Sequence, residues 1–359
     1  MRPALKAGLR PLWRDRDTLQ IGVDPRRAAA LTGLGKAVAV VSLLDGSRDV
    51  DEVVGVAHAR GIPPGATRRV LGLLASAGVL DDFPASLHMA LPGELRARLA
   101  PEMACASLAY GDSDGGARTI ARRRAAFVRV HGGGRAGACV ASLLAASGVA
   151  RVSCRDGGET GHADLVPGGL SREDVGTPRS AAVARVIRRV APEARVADDG
   201  RLLPDLTVLA GPADPAEVAA LMDDGVPHLA VHADEAIGVV GPLVDPGRSA
   251  CLRCVDLAKA ARDKAWPLIL AQTSGHGQGA GGVGASALAC DTVLATATAA
   301  LAAAQALAFI DRAGPEPPAT ANGTLELVLP DWRWRRRTWR PHPACTCRLA
   351  DHAAAYQNQ

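Results

Sequence analysis

The chain has 359 residues, more than one compact core sustains at roughly 250–300 residues, so about two domains are expected. An apolar content of 48% with 22% charged residues fits a globular protein and excludes a disordered or collagen-like one. No window approaches about 18 consecutive apolar residues, and the first residues show neither an apolar core nor a small-residue cleavage site, so a cytoplasmic protein is expected. A net charge of +4, spread along the chain, argues against a dedicated nucleic-acid protein. Eight cysteines are too sparse for a disulfide scaffold.

Residues 1–85 read as one unit. Short alternating runs, "LRPLWRD", "TLQIGVD" and "RAAALTG", predict three strands. Three helical stretches follow: "LGKAVAVVSLL", "DVDEVVGVAHARG" with Asp49 and Glu52 spaced as a capping box, and "PGATRRVLGLLASAG". Strands followed by three short helices outline a winged helix-turn-helix. Its third helix offers a duplex only Arg68 and Arg69.

Residues 86–125 read as a partly helical linker, with Arg122, Arg123 and Arg124 as a solvated face. Next come the strand "AFVRVHG", the turn "GGGRAG", an Ala/Leu helix and the strand "VARVSCRD". A helix "SAAVARVIRRVAP", strands "RVADDG" and "LTVLAGP" and a helix "DPAEVAALMDDG" continue the alternation, and "PHLAVHADE" with "IGVVGPLV" forms a further strand pair. This order predicts an α/β, doubly wound, mainly parallel Rossmann-like sheet. The glycine-rich run "QTSGHGQGAGGVGA" leads to a long Ala-rich helix containing Cys290, and "TLELVLPDWRWRRRTW" precedes the tail. The expected domains are 1–85, the linker 86–125, an α/β domain 126–349 and a tail 350–359.

Two motifs carry chemistry. Cys251 and Cys254 form one close pair, and Cys345 and Cys347 another, about ninety residues on. Two tight turns, each presenting two thiolates, suit structural Zn²⁺, which would clamp the carboxyl-terminal segment. His342 and His352 make a three-Cys, one-His set the variant, while free thiols or a disulfide are the plain alternatives. Gly132, Gly134 and Gly137 stand at G-x-G-x-x-G spacing, with Asp156 ending the second strand where an acid meets a ribose. The same glycines would also turn a chain that binds nothing. Arg135 either grips an anion or occupies its place. Trp332, Trp334 and Trp339, interleaved with arginines, are read on one strand; such a run can stack nucleic acid, but the expected reading has Trp332 and Trp334 covering one face and the guanidinium groups solvated or meeting an acidic partner. Cys105, Cys139, Cys154 and Cys290 are read as core thiols.

Taken together, "FVRVHGGGRAGACVASLLAASGVARVSCRD", "DVGTPRSAAVARVIRRVAPEARV", "CLRC" and "PHPACTC" resemble the ThiF-like, ubiquitin-activating-type adenylyltransferase family over about 125–349. Within it the chain looks most like members found with azole- and azoline-forming peptide biosynthesis. The resemblance implies that residues 1–85 bind the leader of a ribosomal precursor peptide. It also implies that the chain serves a YcaO-type cyclodehydratase.

The departures point to a degenerate site. Arg135 stands where active members have a glycine, and Arg179 where they have a lysine. Their Asn-Leu-x-Arg stretch is missing, and Leu209 to Pro212 is apolar where a metal-binding acid belongs. No cysteine in residues 272–285 could form a thioester.

Gly132, Gly134, Arg135, Gly137, Asp156 and Arg179 are therefore read as a vestigial nucleotide site, with ATP doubtful as a cofactor. The expected role is a leader-binding scaffold rather than an enzyme. Strand addition would occur at "RAAALTG", with Val70, Leu73, Leu74 and Ala77 divided between core and groove. Nucleic acid and membrane are not expected partners, and a homodimer is left open. The alternatives are an active adenylyltransferase acting on a carboxyl terminus and a winged-helix DNA-binding regulator.

Overall fold

A computed structural model describes residues 1–82, 91–198, 200–273, 289–312 and 316–348. It divides into two compact units, Met1–Arg122 and Arg123–Gln359.

The first unit opens with β1 (Pro3–Leu5), followed by an antiparallel meander of β2 (Pro11–Trp13), β3 (Thr18–Ile21) and β4 (Ala29–Thr32). These are the three strands expected, in the order β2-β3-β4, and β3 contributes Leu19 and Ile21 to the core. The stretch expected as the first helix forms a 3-10 helix, Gly35–Leu43. In α1 (Val50–Ala59), the Glu52 N–H donates to Asp49 Oδ1 at 2.9 Å, and the Asp49 N–H donates to Glu52 Oε2 at 2.8 Å. These reciprocal bonds satisfy two backbone donors that a helix start leaves open. Helix α2 (Pro64–Ser76) begins with proline and turns its Thr67, Val70, Leu71 and Leu74 stripe inward. Then β5 (Leu80–Asp82) pairs with β1, bringing the amino terminus back onto the strand after the helices.

The segment expected as a linker is largely helical. Helix α3 (Gly93–Tyr110) packs Leu95, Leu99 and Met103 against Ala117 and Ile120 of α4 (Ala117–Ala125). Lys6 joins α3 to the β1–β5 pair. Its buried ammonium lies 3.0 Å from Asp81 Oδ1, 2.7 Å from Ser107 Oγ and 2.7 Å from the Asp112 carbonyl. A buried cation is tolerable only when such acceptors replace its water.

The second unit is a seven-stranded sheet in the order β12-β11-β10-β9-β8-β6-β7. Its strands are β6 (Phe127–His131), β7 (Arg151–Arg155), β8 (Leu206–Ala210), β9 (His228–Asp234), β10 (Ile237–Val244), β11 (Gly323–Val328) and β12 (Arg333–Thr338). The pairs β7–β6, β6–β8 and β8–β9 are parallel, but β9–β10, β10–β11 and β11–β12 are antiparallel. The sheet is thus mixed rather than mainly parallel: hairpins join β9 to β10 and β11 to β12, and the long helical connection after β10 returns β11 antiparallel beside it. "RVADDG" contributes one bridge, Arg195 to Arg151, instead of a strand.

Helices α5 (Arg135–Ala146), α6 (Arg179–Val190) and α10 (Thr292–Asp311) share a core with Val128, Val130, Val152, Val208 and Val231 on one sheet face. Shorter helices are α7 (Pro215–Asp223), α8 (Leu252–Ala260) and α9 (Trp266–Thr273). Among the described residues, α10 alone is long and apolar enough to cross a membrane. Its contacts with α5, β9 and β10 and its buried Leu294, Ala299, Ala302 and Ala306 make it a core helix. The glycine-rich run from residue 274, His352 and the tail lie outside the described residues.

The opposite sheet face carries a polar row. Ser153, Arg129, Thr207 and His228 are register partners across β7, β6, β8 and β9, and all are buried. Arg129 is bidentate to Asp198, at 2.6 and 3.0 Å. Burial alone would raise the Asp198 carboxyl, but the Arg129 and Gly200 hydrogen bonds and the Arg155 charge hold it at about 2.

Arg123 also departs from expectation. It is buried, and its guanidinium grips Asp311 at 2.9 and 2.8 Å and donates to the Ser147 carbonyl at 3.1 Å. Since Asp311 is 0% exposed, Arg123→Ala should strand a buried carboxylate and destabilise the second unit by about 3–5 kcal/mol in urea unfolding. The double variant Arg123→Met/Asp311→Leu should recover most of that loss.

Candidate functional site

The chain runs from β6 to β7 on one side and resumes at β8 on the other, so a crevice opens at the carboxyl ends of β6 and β8, the usual ligand position in such sheets. It is a cleft of about 530 Å³, lined by Gly132, Gly134, Arg135, Asp156, Arg179 and the end of β8 among others. The sequence-predicted nucleotide residues therefore converge.

The glycines have separable roles. Gly132 has φ +93°, and a Cβ there would overlap the Ala210 carbonyl of β8. Gly134 is the N-cap residue of α5. At Gly137 a Cβ would overlap the Gly132 carbonyl, so helix and loop touch backbone to backbone.

The charged side chains around the loop are engaged by the protein itself. Asp156 accepts the Gly133 N–H through Oδ2 at 2.6 Å and the Gly158 N–H through Oδ1 at 2.7 Å. Arg179, at the first position of α6, forms a two-point clamp on Asp164, at 2.9 and 3.2 Å. Arg135 donates to the Ala163 carbonyl and to Thr292 Oγ1 at the start of α10, both at 2.7 Å.

After β8 the cleft wall is Ala210, Gly211, Pro212 and Ala213. The first acid beyond, Asp214, caps α7 by accepting the Ala216 N–H at 2.9 Å. The site thus offers few uncommitted charges to a triphosphate, and the end of β8 offers no carboxylate to a divalent ion.

Three wall residues escaped the sequence reading. The His131 ring lies against the Glu217 carboxyl in the cleft. Cys290 lies before the Asp291 N-cap rather than inside the long helix, and it also lines the cleft. Only the tertiary fold brings them together, since they belong to β6, α7 and the approach to α10. Cys139 and Cys154 are pushed up by burial, to about 11 and about 12, as suits unreactive thiols. Cys105 is exposed on α3, contrary to the core reading.

The four predicted metal ligands gather away from the cleft. Cys251 is the N-cap residue of α8 and Cys254 lies in its first turn, while Cys345 and Cys347 come from the segment after β12. The sulfurs of Cys251 and Cys254 are 3.7 Å apart, those of Cys251 and Cys345 3.6 Å, and those of Cys254 and Cys347 3.6 Å. A tetrahedral ion with metal–sulfur bonds of about 2.3 Å requires edges of about 3.8 Å, whereas a disulfide requires about 2.0 Å. These thiols can hold a metal ion and are too far apart for disulfides. The His342 N–H donates to Cys254 Sγ at 3.3 Å, so this histidine supports the cluster through its backbone.

Trp339 packs beside the cysteines and donates from Nε1 to Thr324 Oγ1 at 3.1 Å. This corrects the single-strand reading of the tryptophans. Trp332 sits in the turn before β12 with φ +52° and Trp334 is half exposed, while Arg337 pairs with Glu326 and Arg335 with Asp331.

The four expected peptide contacts divide cleanly. Val70 and Leu74 belong to the core of the first unit, whereas Leu73 and Ala77 point outward. Helical geometry forces the split, because residues four apart share a face.

The fold and cleft define a Rossmann-type domain with the chain order of a nucleotide binder. Solved structures of similar fold include E. coli MccB with AMPCPP and MccA, at 16% identity over 97% of this chain and 99% of that one, with a TM-score of 0.69. The microcin C7 biosynthetic enzyme MccB with N-formylated MccA is 16% identical over 97% of this chain and 100% of that one, with a TM-score of 0.67. PaaA is 18% identical over 92% of this chain and 99% of that one, with a TM-score of 0.68. No family model matches the chain, and no curated protein matches it in sequence. The likeness establishes the ThiF-like fold that the resemblance implied.

The backbone contacts of the loop make a sharp prediction. Gly137→Ala should destabilise the second unit by more than about 3 kcal/mol, seen as a lowered thermal midpoint. Gly157→Ala, at a glycine facing open space on the same cleft, should change it little.

Proposed function

We propose that this chain is a peptide-binding scaffold whose second unit keeps a nucleotide-binding fold without its chemistry. The observation that carries the proposal is the internal engagement of Arg135, Asp156 and Arg179, which bind the protein's own groups. Phosphoryl and adenylyl chemistry requires cations and metal ligands held ready for the substrate. An arginine already clamped to Asp164 must break that pair before it can meet a phosphate. The fold neighbours include MccB with ATP and MccB with N-formylated MccA, so this architecture accommodates both a nucleotide and a second ligand. In the present chain only the second of these capacities is retained.

On this reading residues 1–85 form a winged-helix element. The leader of a ribosomal precursor peptide adds as a strand beside β4, with its apolar side chains over Leu73 and Ala77. The chain then presents that peptide to a separate ATP-using, YcaO-type cyclodehydratase. The cysteine cluster holds one structural Zn²⁺, the ion that a closed four-sulfur set favours, and ties the segment after β12 to α8.

Two measurements decide the matter. ATP titration and pyrophosphate exchange should both be silent, while a precursor peptide encoded beside the gene should bind in fluorescence anisotropy. Leu73→Asp should weaken that binding at least tenfold with an unchanged melting temperature. Robust exchange would instead establish an adenylyltransferase.

For the metal, one zinc per chain is expected by elemental analysis. Cys254→Ser and Cys347→Ser should each lose it and lower the melting temperature by about 10 °C or more, and a strong chelator should do the same to the unaltered protein.

A further inference from the structure

We infer that the outer edge of β2 is a second docking surface, one that takes an acidic, extended segment of a partner protein. The three-stranded sheet has two edges, and β2 is paired only with β3. All three β2 residues are exposed, and Trp13 is 59% exposed in a chain with only five tryptophans. Trp13 stands opposite Leu19 in register, so its ring extends the core-facing side of the sheet into solvent.

Beside it, Trp13, Leu19, Leu34, Gly35 and Val38 line a slot of about 40 Å³ with Arg16 and Asp17 at its polar side, and a shallow groove runs along Trp13, Arg14, Asp15 and Arg16. An aromatic platform with a small apolar slot suits one aliphatic side chain of an incoming strand. Pro11 has no N–H to offer at the start of β2, so side chains rather than ladder bonds must carry most of the contact.

Charge indicates the occupant. Arg10, Arg14 and Arg16 are exposed around Trp13, and among the described residues none has an ion-pair partner within 4 Å. The nearest acid in sequence, Asp15, is turned onto its own backbone, accepting the Asp17 and Thr18 N–H groups at 2.8 and 2.7 Å. The first of these bonds dominates in holding its carboxyl below the ordinary value.

Three exposed guanidinium groups, none held in an ion pair within 4 Å, stand beside a slot with an apolar floor and fit carboxylates alternating with an aliphatic residue. A nucleic-acid strand fits less well, because a slot of about 40 Å³ admits an aliphatic side chain and is too small for a base. This surface is distinct from the β4 and α2 side, where Leu73 and Ala77 lie.

The test selects a phage-displayed library of random 12-residue peptides on the full-length protein and measures the enriched peptides, labelled with fluorescein, by anisotropy. Expected are peptides with two or more Asp or Glu flanking an aliphatic residue, whose affinity falls as salt is raised. That affinity should fall at least tenfold in Trp13→Ala and in Arg14→Glu/Arg16→Glu, yet stay unchanged in Leu73→Asp. The charge-reversal variant alters only exposed side chains and decides the question if Trp13→Ala lowers the melting temperature. The inference is overturned if no acidic peptide is enriched, if affinity survives the charge reversal, or if oligo(dT) binds in preference to the peptides.

Discussion

At Gly137 the backbone of α5 passes so close to the Gly132 carbonyl that no side chain fits between them, and at Gly132 the same holds against Ala210. These two contacts set the height at which α5 meets the sheet, and hence the floor of the cleft. They are steric, so they persist whatever the cleft contains. A nucleotide-type loop can therefore outlive nucleotide chemistry: the glycines answer to packing, whereas the charged residues answer to a ligand. In this chain the glycine contacts are complete, and the charged residues bond the protein's own groups. Asp156 bonds the backbone of the loop, and Arg135 bridges to the start of α10.

The two halves of the second unit are stabilised by different means. The parallel half rests on an apolar layer beneath α5, α6 and α10, and its other face is polar, with Arg129 and Asp198 neutralising one another. The antiparallel half ends in β12, all six residues of which are exposed. Such an edge has little core of its own. The four sulfurs, together with buried Trp339, supply a compact anchor just where the apolar layer runs out.

What could be read from the sequence follows from which interactions are local. The capping box at Asp49, the meander of the first unit and the glycine turn depend on residues a few positions apart, and each stands as expected. The cysteine cluster was legible because thiolate chemistry compensates for ninety residues of separation. The engagement of Arg123 with Asp311 was not legible, since an arginine in a run of three looks solvated until an acid 188 residues away is folded against it. The same applies to Arg179 with Asp164, and to Cys290 in the cleft wall. The antiparallel half of the sheet was missed for another reason. Apolar strands read alike whether they run parallel or antiparallel, and only the short connection between β9 and β10 distinguishes them.

The Arg123–Asp311 pair also bears on how the protein can be divided. The first strand of the second unit begins at Phe127, and a cut placed just before it would look harmless. It would remove the cation that balances a wholly enclosed carboxylate at the far end of α10. The autonomous piece is therefore defined by charge balance rather than by its first strand, and the last three residues of α4 belong to it even though α4 begins in the first unit. Evolutionary exchange of either unit would have to respect that seam. A swap that carried the arginine away with its neighbours would leave the recipient a buried carboxylate with its charge unbalanced at the end of α10.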